Sequence, residues 1–205
     1  MKTPRWLPAA LAALLTLGVA TAARPQAEPF DPEMLRRIAE RLLDATGEEL
    51  GKAAVPVTGD PGKVAGLRGD GMSSVIAIAD ASLTSEKIAN IAQKLEPVAI
   101  VYFRNLQIRN EDGPIAADRL FTFELGEFTL HAVSIAVHFG DDHPRLEVYG
   151  KGEAPLFAVR CEAEKAVGGD IGLSVLERDQ ASRRATLKLI LAQDWFTRLD
   201  FEPAN

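Results

Sequence analysis

From Leu120 onward the chain alternates apolar and polar residues with a period of two. Phe121, Phe123 and Leu125 share one parity, and Val133, Ile135, Val137 and Phe139 share another run of it. Leu146 and Val148 repeat the pattern, and Ala185, Leu187, Leu189 and Leu191 alternate with Arg184, Thr186 and Lys188. A strand points successive side chains to opposite faces, so alternation predicts a sheet buried on one face and wet on the other. The segments 120–125, 128–139, 145–149, 156–161, 171–177 and 184–191 are therefore predicted to be strands of an antiparallel meander. Gly126-Glu127 fits a two-residue hairpin loop with glycine first. The tail from Trp195 to Phe201 is apolar enough to dock on the sheet.

Before Leu120 the period changes. Leu35, Ile38, Leu42 and Ala45 recur at helical spacing, after Asp31 as an N-cap and Pro32 at the first helical position. Phe30 and Leu35 occupy the staple positions around that cap, and Gly47 is the expected stop. Residues 52–71 hold Pro56, Gly59, Pro61, Gly62, Gly66, Gly69 and Gly71, a density of breakers that predicts a long loop with at most a short strand at 64–67. A loop of that length is a place to look for a site. A continuous apolar run at 74–79 follows, then a helix capped by Thr84 and carrying Ile88, Ile91, Ala92 and Leu95, then a β-branched and aromatic run at 98–108. Strand, helix and strand with short links predict a βαβ unit with parallel strands. The fold class expected is α+β: a mostly antiparallel sheet, an N-terminal βαβ unit, and two helices packed on one face.

The first residues depart from both periods. Lys2 and Arg5 precede an uncharged, mostly apolar stretch ending in Ala20-Thr21-Ala22, which is the layout of a cleavable signal peptide. Residues 1–22 are read as that leader, 23–29 as a polar tether and 30–205 as a single α+β domain. The expected destination is the periplasm or the surrounding medium, with no stable membrane insertion after cleavage. Losing Lys2 and Arg5 takes the net charge from −6 to −8, with no clustering of Lys and Arg into a basic face. That disfavours nucleic acid, whose phosphates demand positive charge. One cysteine, Cys161, cannot close an intramolecular disulfide.

Candidate chemistry is sparse. His138, Asp141, Asp142 and His143 lie together at a strand end, and imidazole and carboxylate are sound ligands for a divalent ion. Adjacent Asp and His in a loop bounded by Gly140 and Pro144 are also ordinary turn residues. His131 stands seven residues before His138 and so faces the other way on a continuous strand; it is read as a core histidine with one hydrogen-bond partner. Cys161 follows Phe157 and Val159 on one strand face, where a thiol behaves as a small apolar group. Gly66 to Gly71 resembles a phosphate loop only superficially, because no lysine follows and the next element is a strand. There is no nucleophile elbow and no serine–lysine pair at a recognised spacing. No catalytic, cofactor or metal residue is assigned. The expected function is a non-catalytic binding or interaction protein of the cell envelope, with an unknown protein or small molecule as partner. Two alternatives stand beside it: a metal-assisted hydrolase using His138, Asp141, Asp142 and His143, and a carrier of an apolar small molecule held between sheet and helices.

Overall fold

In the computed structural model, which describes residues 27–69, 72–89, 95–139, 143–163, 170–179, 181, 183–192 and 194–204, every strand pairing is antiparallel. The leader expected from the sequence, residues 1–22, lies outside the described residues. In chain order the elements are β1 (Glu28–Pro29), α1 (Pro32–Leu50), β2 (Gly59–Arg68), β3 (Ser74–Asp80), α2 (Ser85–Ala89), β4 (Glu96–Arg104), β5 (Leu106–Asn110), β6 (Gly113–Pro114), β7 (Phe121–Leu125), β8 (Phe128–Phe139), β9 (Pro144–Tyr149), β10 (Phe157–Arg160), β11 (Glu162–Ala163), β12 (Ile171–Asp179), β13 (Arg184–Leu191) and β14 (Trp195–Pro203). Among the described residues they form two sheets. The larger runs β1-β2-β3-β4-β8-β9-β10, with β7 also on β8; the smaller runs β12-β13-β14-β5-β6, with β11 beside β14.

The layers follow from parity. On β3, Val75, Ala77 and Ala79 face the smaller sheet and meet its Leu187, Leu189, Leu199 and Phe201 in one buried cluster. Ile76 and Ile78 point the other way, with Ile100, Tyr102 and Ala132, onto Leu35, Ala39 and Leu42 of α1. The order is helix, large sheet, small sheet. The large sheet is thus covered on both faces. The small sheet keeps one wet face, where Thr186 donates to Asp200 at 2.6 Å and Glu202 lies 3.3 Å from Arg184 and 3.6 Å from Arg109.

Helix α1 starts as its sequence predicts. Asp31 accepts the Met34 N–H at 2.9 Å and Pro32 opens the first turn. It runs past Gly47 to Leu50 and is capped at Gly51, because Thr46 and Leu50 carry the buried stripe one turn further. Thr46 hands its hydroxyl proton to the Leu42 carbonyl at 2.7 Å and lies 2.8 Å from the Tyr102 hydroxyl. The Tyr102 O–H is then the donor to Thr46, a polar tie between helix and sheet inside an apolar layer.

Four expectations need correction. Half of the 52–71 segment, Gly59–Arg68, is strand. Gly66 is there because α1 sits on it: a Cβ would lie 2.8 Å from Leu35 and 2.9 Å from Phe30. Gly59 likewise leaves no room beside Leu43. Pro61 falls within the register shift between Gly59 and Val64, where no ladder hydrogen bond is needed. Second, the strands flanking α2 are direct neighbours, Ala77 opposite Val101, and run antiparallel, so the βαβ crossover is absent. Third, the helices do not share a face: Ile88 of α2 joins the cluster between the sheets, while α1 packs on the opposite side. Fourth, the run at 98–108 is two strands. Asn105, at φ 54°, breaks it and passes the chain from one sheet to the other. The hairpin at Gly126 forms as expected, with Gly126 at φ 66° and Leu125 opposite Phe128.

Candidate functional site

Where Asn105 hands the chain across, the sheets part. A cleft of about 650 Å3 opens between the end of β2, the start of β3 and the β12–β13–β14 side of the small sheet. Its wall is apolar: Leu67 and Val75 from one sheet, Leu187 and Phe201 from the other, all buried. Phe201 in turn stands edge-on to Phe103, ring centroids 5.5 Å apart. Around this wall are Arg68, Arg178 and Arg183, with Asp179 among them.

These polar groups differ in how far they are engaged. Arg68 forms an exposed ion pair with Glu28 at 2.8 Å. Asp179 accepts the Ala181 N–H at 2.9 Å and so holds the turn between β12 and β13. Arg183 sits in that turn at φ 57°, a left-handed conformation unusual for a long side chain, and makes no ion pair with any described residue. The arrangement can take up an apolar body and meet a polar end at its rim.

The histidine cluster is arranged otherwise. His138 and His131 do lie on opposite faces of β8: His131 packs 5.8 Å from Phe103 between the sheets, and His138 is paired across from Arg145. His131 Nδ1 is 3.1 Å from Thr122 Oγ1, and burial lowers its pKa, with the Glu124 carboxylate opposing and Lys151 assisting. It is half-buried rather than wholly enclosed. His138 Nδ1 lies 3.1 Å from Glu147 Oε1, close but off the line of a hydrogen bond. Glu147 also accepts the Tyr149 O–H, and burial first, then this carboxylate, holds that phenol above its ordinary range. His143 is exposed, and Asp141 and Asp142 lie outside the described residues. No group of three or more metal-ligating side chains occurs among the described residues. Glu147 is the carboxylate that the sequence did not single out. It stands on the neighbouring strand, so no local spacing pairs it with His138.

The loop after α1 does reach this face. Val55 packs on Ala136 and Tyr149, and its carbonyl accepts the Ser134 O–H. The meeting is a filled contact, with all three side chains buried. The other end of the 52–71 segment, at Leu67, Arg68 and Gly69, lines the cleft.

Two further groups have structural roles. Cys161 is buried, and burial pushes its thiol up to about 12, so it does not furnish a thiolate nucleophile. Buried Asp80 accepts the N–H of Thr58 and of Ser82, each at 2.9 Å, and the Ser82 hydroxyl. Lys87 donates to that same Ser82 oxygen at 2.7 Å and lies 3.4 Å from Glu96. The hydroxyl proton goes to Asp80 and lysine is the donor, so the pair fixes the turn and does not activate the serine. No helix among the described residues is long and apolar enough to cross a membrane.

No family model matches the chain, and no curated protein or solved structure matches it significantly.

Proposed function

We propose that this chain is an exported, non-catalytic binding module that holds the apolar part of a small molecule in the cleft between its two sheets. The charged n-region, apolar core and small residues before Ala23 support export to the periplasm or the medium. One observation carries the binding reading: an opening of about 650 Å3 whose wall is Leu67, Val75, Leu187 and Phe201. Small-molecule sites run from roughly 300 to 1,000 Å3 and combine an apolar lining with a few polar groups. The cleft has both. It lies between the two sheets, whereas the carrier expected from sequence would hold its ligand between sheet and helices.

Nile red, a neutral dye whose emission shifts to the blue in apolar surroundings, tests this directly. Saturable binding is expected, with displacement by 1-decanol. Ala185 lines the cleft. Ala185→Trp should fill it, abolishing dye uptake while leaving the melting temperature unchanged or higher. Substituting His138 and His143 together should leave uptake intact. Absence of saturable uptake by the unmodified protein would defeat the proposal, as would full uptake by Ala185→Trp.

A further inference from the structure

The net charge of the chain is −6, yet three arginines line this one cleft. They arrive from two places far apart in sequence: Arg68 ends β2, while Arg178 and Arg183 flank the turn between β12 and β13. Asp179, the carboxylate among them, accepts the Ala181 N–H. We infer that the ligand is an anionic amphiphile, a molecule with a single alkyl-like tail against Leu67, Val75, Leu187 and Phe201 and a carboxylate or similar head met by Arg183. This rests on the cleft being the binding site.

The chemistry favours an anion for three reasons. Guanidinium is a fork of donors with no acceptor, matched to carboxylate or phosphate oxygens. A neutral head would leave those donors to water, and a cationic head would meet a rim whose arginines outnumber its one carboxylate, Asp179. Arg183 also has no ion pair among the described residues to give up on binding, whereas Arg68 is already joined to Glu28. The left-handed φ of 57° is one that glycine adopts freely. Arg183 lines the cleft from this position despite the backbone preference against it.

Displacement of Nile red by three ten-carbon probes, decanoate, 1-decanol and decyltrimethylammonium, separates head from tail. Decanoate should displace the dye at least tenfold more strongly than decanol, and decyltrimethylammonium more weakly than either. The decanoate advantage should shrink as salt is raised, because the head stays partly solvated. Arg183→Gly removes the guanidinium without straining the turn, so the variant folds at least as well and should lose about tenfold in decanoate affinity. Arg183→Lys should recover most of that loss. Equal displacement by decanol and decanoate, or undiminished decanoate binding by Arg183→Gly, overturns the anionic head while the cleft survives as a binding site. Failure of both decanol and decanoate to displace the dye, or to bind at all, removes the cleft itself and this inference with it.

Discussion

The two faces of the large sheet are closed in different ways. On the helix side, Gly59 and Gly66 let α1 settle directly onto β2, and Tyr102 ties Thr46 to the sheet from within. On the other side the partner is a second sheet, joined to the first through Asn105, and the two separate toward that end into a cleft. A helix is a narrow cylinder that can slide until its ridges fill the surface below. Two twisted sheets are broad, stiff layers that meet closely only where their twists match. Close packing on one face and an opening on the other therefore come from the kind of layer laid on each, since both faces carry the same sort of branched apolar side chains.

Truncating one residue on each face tests this contrast most strongly. Ile78 is fully buried under α1, and Ile78→Ala should cost about 4 kcal/mol by urea denaturation. Leu187 borders the solvent-open cleft, so water can fill the space that Leu187→Ala leaves and the cost should fall to about 2 kcal/mol. Equal costs would show that the cleft closes in solution. Gly66→Val should cost about 2 kcal/mol by driving side chains into Leu35 and Phe30. A neutral result would mean that α1 does not rest on β2.

Alkaline unfolding reads the two faces separately. Burial pushes the Tyr102 phenol on the helix face from 10.0 up to about 12, and the Cys161 thiol on the inter-sheet face from 9.0 up to about 12. Each group keeps its proton in the folded state after the unfolded chain has lost it. Stability is then fully present below pH 9, and falls as pH rises to about 12. Cys161→Ala should remove the part of the fall that begins near pH 9, and Tyr102→Phe should reduce the part that begins near pH 10, which Tyr149 shares. A flat profile in the unmodified protein over this range would contradict the burial of both. The smallest effect is acidic. Burial lowers the pKa of His131, so the unfolded chain takes up that proton first and stability falls as pH drops below 6.5; His131→Gln should flatten this slightly.

Sequence alone makes β13 and the α1 start legible, since both carry an unbroken period, but not that β13 belongs to a second sheet. The strand expected at 184–191 is the strand observed, and Asp31 and Pro32 set the helix start. It misleads at 52–71 because glycine has two uses. A glycine that makes room for a helix looks, in sequence, like one that makes a turn. Asn105 splits the run at 98–108 between two sheets; the polar pair Arg104-Asn105 marks an interruption, but hydropathy carries no sign that the chain changes sheets there. Strand direction around α2 is equally hidden, since a short connection with a helix in it fits either a parallel or an antiparallel neighbour. The cleft is the least legible feature. Arg68 meets Arg178 and Arg183 only through topology, and each alone reads as an ordinary surface charge.

The most direct measurement is backbone and methyl chemical-shift mapping of the isotope-labelled protein during titration with decanoate. The largest shifts should fall on Leu67, Val75, Leu187 and Arg183, with Ala136 and Tyr149 on the opposite face unmoved. Shifts centred on Tyr149 and His138, or none at saturating decanoate, would contradict the placement of the binding site between the sheets.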